Sequence, residues 1–228
     1  MKFADMNWMD VETYLDQDDR VVLVVGSCEQ HSTLSLMTDV LIPMRVAETA
    51  CQREQVLIAP ALPYGITPYF AAYPGTISLR PETMAAVVRE VIEGLLAQGF
   101  QRVLVSNGHG GNTGLLTTVL IELGNAHPEA GFSIFHWWRN AKVEAVAEAA
   151  GLQPNHANWS ENFPFTRVGP VPEGEKIPPE LPPTGPATAV RAALGDGSFG
   201  GPYQAPEGVM DQLFAAAVEA MVGAIQAM

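Results

Sequence analysis

The chain has 228 residues, 47% of them hydrophobic and 16% charged, a balance that supports a substantial core and excludes intrinsic disorder. Twelve basic residues against twenty-five acidic ones leave a net charge of −13, which repels phosphate backbones and anionic bilayers and argues against nucleic-acid and membrane partners. Two cysteines, Cys28 and Cys51, are too few for a disulfide framework.

No apolar run approaches the ~18–20 residues of a membrane span, and Met1 to Leu15 lacks the basic-then-apolar order of a secretory signal. The expectation is a cytoplasmic protein with a single domain over residues 1–228. Arg20 to Val25 is a continuous β-branched run, the pattern of a strand covered on both faces. A short helix pattern over Pro43–Arg53 precedes a strand at Val56–Ala59. Pro81 opens a stronger helix whose apolar stripe is Met84, Val87, Val88, Val91 and Leu95, and Gly99 stops it. A strand at Arg102–Ser106, a helix from Thr113 to Leu123, a strand at Phe132–Phe135 and a helix at Lys142–Ala150 continue the alternation. Repeated βαβ units imply a largely parallel sheet with helices on both faces.

After Gly151 the character changes. Eleven of the eighteen prolines lie between Pro154 and Pro206. Trp159, Phe163, Phe165 and Tyr203 would be stranded in water if this segment were a loose tail, so 152–206 reads as an ordered excursion that shapes a pocket or a subunit contact. A helix from Glu207 to Gln226 closes the chain.

Ligands of open α/β sheets bind beyond the carboxyl ends of the strands. The loop after the first strand carries Glu29, His31 and Asp39, and the loop after the third reads Asn107-Gly108-His109-Gly110-Gly111-Asn112. Glu29 and His31, two apart, project to one side of an extended segment. The glycines beside His109 permit a sharp turn and a close substrate approach, so Gly110 and Gly111 are candidate substrate contacts. The excursion adds His156 and Glu161. Each residue has a plain alternative: Glu-x-His is common, a histidine after glycines can cap a helix, and His156 with Glu161 can belong to a solvated loop. Acids and imidazoles at two neighbouring strand ends nevertheless form a metal-binding pattern. Trp159, Trp137 and Trp138 are candidates for a flat pocket wall, with core packing as the alternative.

Together, Glu-Gln-His with a following Thr-Asp, Asn-Gly-His-Gly-Gly-Asn, and His-x4-Glu resemble the creatininase (creatinine amidohydrolase) family, over about residues 5–225. The resemblance implies a three-layer α/β/α sandwich, a homohexamer, and two divalent ions (zinc, manganese or iron). Asp39 would bridge the ions, with Glu29 and His109 on one and His31 and Glu161 on the other. His156 aligns with a proton-shuttling histidine. Three carboxylates against two dications leave a residual +1, which suits a bridging hydroxide, since metal binding lowers the pKa of water toward ~7. The implied reaction is attack on a carbonyl of a small molecule with proton delivery by His156 to the leaving nitrogen, hydrolysing an amide or cyclic amide. Creatininase itself has a metal-binding glutamate where this chain has Gly111, so Glu161 takes that place; Asn158 and Asn162 also depart from the usual glycine and threonine, marking a divergent member.

Two alternatives stay on the same scaffold: hydrolysis of a C–C bond or ring opening of a cyclic sugar-derived ketone, and a non-catalytic, metal-stabilised oligomeric binding protein. Cys28 beside His31 offers a thiol nucleophile as a third, minor reading. Gly108 to Gly114 fits neither common phosphate-binding spacing.

Overall fold

A computed structural model describes every residue of the chain except Leu181 and Pro183. Its centre is a parallel sheet in the order β2-β1-β3-β4, formed by β1 (Arg20–Val25), β2 (Leu57–Ile58), β3 (Arg102–Asn107) and β4 (Gly131–His136). Side chains alternate across a strand, so β1 feeds two cores. Val22 and Val24 pack with α2 (Thr38–Glu54), α5 (Ala141–Ala149) and α7 (Glu207–Gln226). Val21, Leu23 and Val25 pack with α1 (Trp8–Leu15), α3 (Pro81–Gln98) and α4 (Thr113–Ala126). Both faces of the sheet are covered, which makes the expected three-layer α/β/α sandwich. Val25 is in register with Asn107, and Asn107 with His136, so three strands end at one level and open the loops that follow toward the same edge.

Several element boundaries differ from the expected ones. Helix α2 starts at Thr38 rather than Pro43, which places Asp39 in its first turn instead of in a loop. Proline inside a helix removes the bond from its own N–H to the carbonyl four residues back, here that of Asp39. So close to the N-terminus, the helix persists despite that loss. Helix α1 escaped the periodicity reading; a capping box starts it, with Asn7 Oδ1 accepting from the Met9 and Asp10 amides and Asp10 accepting from the Asn7 amide. Ile92 joins Met84, Val88 and Leu95 on the buried side of α3, whereas Val87 and Val91 are only half-buried. Helix α7 is long and apolar enough to cross a membrane by length and composition, contrary to the expectation that no segment comes near it. Its Met210, Leu213, Ala217, Val218, Met221 and Ile225 are instead buried in the core shared with α2 and α5.

The described part of the segment 152–206 holds an antiparallel pair, β5 (Glu175–Lys176) with β6 (Gly201–Pro202), and α6 (Ala187–Leu194). Val190 and Leu194 of α6 pack on Phe70 and Tyr73 of the loop after β2. Two asparagines tie this segment down. Asn158 accepts from the Asn155 and Ser160 amides and donates to the Gln153 and Gly200 carbonyls. Asn162 donates to Tyr203 O and accepts from Arg167 Nε.

Candidate metal centre

The loop after β1 descends over the sheet edge and is held by the Pro74–Leu79 stretch: Cys28 bridges Ile77, and the Gln30 amide donates to Thr76 Oγ1 at 3.0 Å. Helix α2 then crosses the ends of β1 and β3. It comes so close that a Cβ at either Gly26 or Gly108 would collide with the backbone of Asp39; the two glycines make the room that brings this carboxylate inward. The two asparagines of the β3 motif act as clamps. Asn107 accepts from the His109 amide and donates to its carbonyl, fixing the residue from both sides. Asn112 accepts from the Ile66 amide and donates to Gly26 O, stitching three loops together.

These restraints bring Glu29, His31, Asp39, His109 and Glu161 into one buried cluster. Asp39 Oδ1 lies 3.0 Å from His31 Nε2 and Asp39 Oδ2 lies 3.0 Å from His109 Nδ1. Glu29 Oε1 is 3.4 Å from His109 Nδ1, and Glu161 Oε2 is 3.8 Å from His31 Nε2. The donor atoms form a triad of Glu29, Asp39 and His109 and a second of His31, Asp39 and Glu161, with Asp39 common to both. A third grouping joins Glu29 and His31 to His156.

The hydrogen-bond pattern fits cations. His31 Nδ1 faces Glu29 O at 3.2 Å and His109 Nε2 faces Ile66 O at 2.9 Å. A carbonyl accepts only, so each of those nitrogens carries the proton and the opposite nitrogen presents a lone pair to the carboxylates. Lone pairs then confront carboxylate oxygens, and His31 Nε2 and Asp39 Oδ2 are buried without a hydrogen-bond partner. A positive ion between them relieves that conflict. Without one, protons must serve. Burial lowers the His31 pKa, but Asp39, Glu161 and Glu29 outweigh it and raise it to about 10. Burial likewise lowers that of His109, which hydrogen bonds and charge from Asp39 and Glu29 carry well above its usual value. Burial raises Asp39, yet His31 and His109 hold it below the ordinary carboxylate range. Glu161, where burial prevails, is raised to about 7.

Glu29, Asp39, His109 and Glu161 of this cluster form the floor of a cavity of about 620 Å³, while His31 is fully buried. Gly110 and Gly111 line it, as do Trp137 and Trp138. Gly111 has a further requirement, because a Cβ there would strike both Ile66 O and His109 Nε2 and break the bond that orients the imidazole. Trp159 does not line the cavity. It is fully buried in the core, its indole N–H donates to Gln153 O at 3.0 Å, and its expected place on the substrate wall is corrected to packing. His156 projects above the floor, stacked on Phe70 at 4.6 Å and flanked by Phe199 at 5.0 Å, with Nδ1 3.9 Å from Glu29 Oε1. Cys28 is not among the residues that line the cavity; its thiol lies 3.4 Å from Gly75 O, and burial followed by the Glu29 charge raises its pKa, which disfavours the thiolate that a nucleophile needs.

Sequence reasoning missed Thr67, Tyr69, Phe70 and Phe199 in the wall. They stand in turns without periodicity or motif; only the run Tyr69-Phe70 within a Pro/Gly-rich stretch offered a signal. Thr67 Oγ1 is buried without a partner, a spare hydroxyl at the cavity edge.

The family model described as creatinine amidohydrolase (creatininase) matches residues 4–225. The chain is similar to the creatinine amidohydrolase of Pseudomonas putida, 30% identical over 113 residues, covering 46% of this chain and 44% of the relative. It is 38% identical over 109 residues to the mycofactocin precursor peptide peptidase of Mycobacterium tuberculosis, covering 42% of this chain and 43% of the relative. It is 29% identical over 110 residues to the 3-dehydro-scyllo-inosose hydrolase of Thermotoga maritima, covering 47% and 35%. Each of these matches spans less than half of the relative's length. Solved creatininase structures align over nearly the whole chain. A tryptophan-to-phenylalanine variant gives a TM-score of 0.84 at 20% identity, covering 99% of this chain and 97% of that one. A creatininase with Mn gives 0.77 at 23%, covering 99% and 97%. A glutamate-to-glutamine variant of Zn-Zn type gives 0.76 at 22%, covering 99% and 96%.

Proposed function

Because the chain belongs to the creatininase family, we propose that it is a binuclear metal-dependent hydrolase that cleaves a C–N bond, an amide or cyclic amide, of a small molecule. The observation that carries this reading is Asp39, a buried carboxylate whose two oxygens serve two separate ligand triads on the floor of a cavity. In it, Glu29, Asp39 and His109 would hold one ion and His31, Asp39 and Glu161 the other. Zinc and manganese are the ions named for solved creatininase relatives, and the mixed carboxylate and imidazole donor set suits zinc, manganese or iron. The chemistry such ions supply is Lewis-acid polarisation of a carbonyl and activation of water near neutral pH.

The chain's own residues do the rest. The backbone carbonyls of Glu29 and Ile66 keep His31 and His109 in the ligating tautomers. Trp137, Trp138, Phe70 and Phe199 exclude water and offer flat apolar contact. His156 provides a hydrogen-bond donor above the cluster, within reach of a carbonyl oxygen or leaving nitrogen. Among the described residues, no lysine or arginine lines the cavity. A neutral or cationic amide with an apolar or aromatic substituent fits these walls better than the polyhydroxylated ring of a sugar-derived ketone, whose hydroxyls would each need a polar partner. Assembly as a homohexamer belongs to the same proposal; Trp8, Val168 and Ile177, each at least 70% exposed, are apolar side chains such an assembly can cover.

The test is purification without added ions, elemental analysis, and assay of a panel of alkyl- and aryl-substituted amides for released amine. Two ions per chain and amine release that stops with chelator and returns with metal are expected. Metal-free protein, or a panel left intact by the metal-loaded protein, would overturn the reading.

A further inference from the structure

Gln30 sits between two ligand candidates, and its side chain turns away from them toward His156. We propose that Gln30 is a positioning residue: it places the ring proton of His156 on Nδ1, which keeps His156 out of the metal ligand set and aims an N–H into the cavity. The consequence for catalysis rests on the hydrolase reading; the proton placement does not.

The direction of the Gln30 amide is fixed by two backbone groups of known polarity. Its Oε1 accepts from the Ser32 N–H at 3.0 Å, and its Nε2 donates to Gly197 O at 3.1 Å. Reversing the amide would set oxygen against a carbonyl and NH2 against an N–H, losing both bonds. The second hydrogen of Nε2 therefore points at His156 Nε2, 2.8 Å away. A donor at that distance requires a bare lone pair on His156 Nε2, so the neutral ring carries its proton on Nδ1.

The surroundings hold this arrangement. Gly197 has φ +98°, and a Cβ there would overlap the Gln30 carboxamide. Ser32 takes φ +54°, which turns its N–H back to Gln30 Oε1. The imidazole cannot pivot freely, because Phe70 stacks on it at 16° and Phe199 closes against it. Nδ1 is left with Glu29 Oε1 at 3.9 Å, beyond hydrogen-bond reach, so its N–H is available to a bound molecule. The grouping of Glu29, His31 and His156 satisfies the spacing for a third ion site, but a ligating nitrogen needs a lone pair, and Nδ1 has none in this tautomer. The spare imidazole is thus a donor to substrate, poised to give a hydrogen bond rather than to take a proton. A base role would require the Gln30 amide to swing away.

The test is 15N NMR of ring-labelled histidine in the zinc-loaded protein, with His156 assigned by its loss in His156→Ala. In the natural sequence, His156 Nδ1 should be protonated and Nε2 bare. In Gln30→Glu the new carboxylate accepts instead of donating, so Nε2 should gain a proton. A proton on His156 Nε2 in the natural sequence, or an Nε2 still bare in Gln30→Glu, would overturn the assignment. Should Gln30→Glu fail to fold, the natural protein's spectrum alone decides it. None of these outcomes depends on finding a substrate, so failure here leaves the hydrolase reading to its own assay.

Discussion

Burial alone drives an imidazole toward its neutral form, so a raised pKa at His31 means that Asp39, Glu161 and Glu29 together favour positive charge beside them. The sign has a consequence for the metal-free protein. A histidine raised to about 10 against ~6.5 unfolded contributes stability that is complete below ~6.5 and is lost as the pH climbs through about 10. Divalent ions must displace the protons held by His31 and His109, so loading metal near pH 7.5 should release protons. Titrating zinc into metal-free protein in weak buffer should liberate at least one proton per chain, with apparent affinity rising as pH rises. Uptake without proton release would show that these imidazoles are not ligands. At this scale the sequence was informative about the ligating side chains, because acids and imidazoles in motif spacing have few other reasons to coincide at neighbouring strand ends. It was silent about the role of Gln30, and it marked Gly111 only as a candidate substrate contact, not as the position whose missing Cβ spares the His109 bond to Ile66 O. Their importance lies in what the Gln30 amide bonds and in what a Cβ at Gly111 would strike, and those neighbours, Gly197, His156 and Ile66, are supplied by distant segments.

Elements with a strong period were legible: the strand Arg20–Val25 and the helix Glu207–Gln226 stand where their patterns place them. Elements set by capping or by packing were not. Helix α1 depends on the Asn7 box rather than on an apolar stripe, and the start of α2 is hidden by Pro43, which reads as a boundary but lies inside the helix. Trp159 shows a similar ambiguity. A tryptophan between a histidine and a glutamate of a motif reads as a pocket wall, yet it anchors the turn that carries Glu161 to the core. Truncating it to alanine should cost ~3–5 kcal/mol of stability by analogy with other buried aromatics. Chemical denaturation of Trp159→Ala checks this. A variant of unchanged stability with a raised KM would return the residue to the substrate wall.

Over the whole molecule, the site is assembled where chain segments from three regions meet. The β1 loop and the start of α2 bring Glu29, His31 and Asp39, the β3 loop brings His109, and the segment after α5 brings His156 and Glu161. Sheet register makes the first two meet, because Val25 and Asn107 are paired neighbours. No such rule places the third; a long Pro-rich excursion has no period from which its path can be read, and its position follows from Asn158, Asn162 and α6 docking on distant partners. All three regions converge on Asp39. The most direct measurement is therefore metal content per chain in the natural protein and in Asp39→Asn. An amide in place of the shared carboxylate removes charge from both triads, so two ions should fall to fewer than one while the fold, followed by circular dichroism, persists. An Asp39→Asn protein that keeps two tightly held ions would contradict the account.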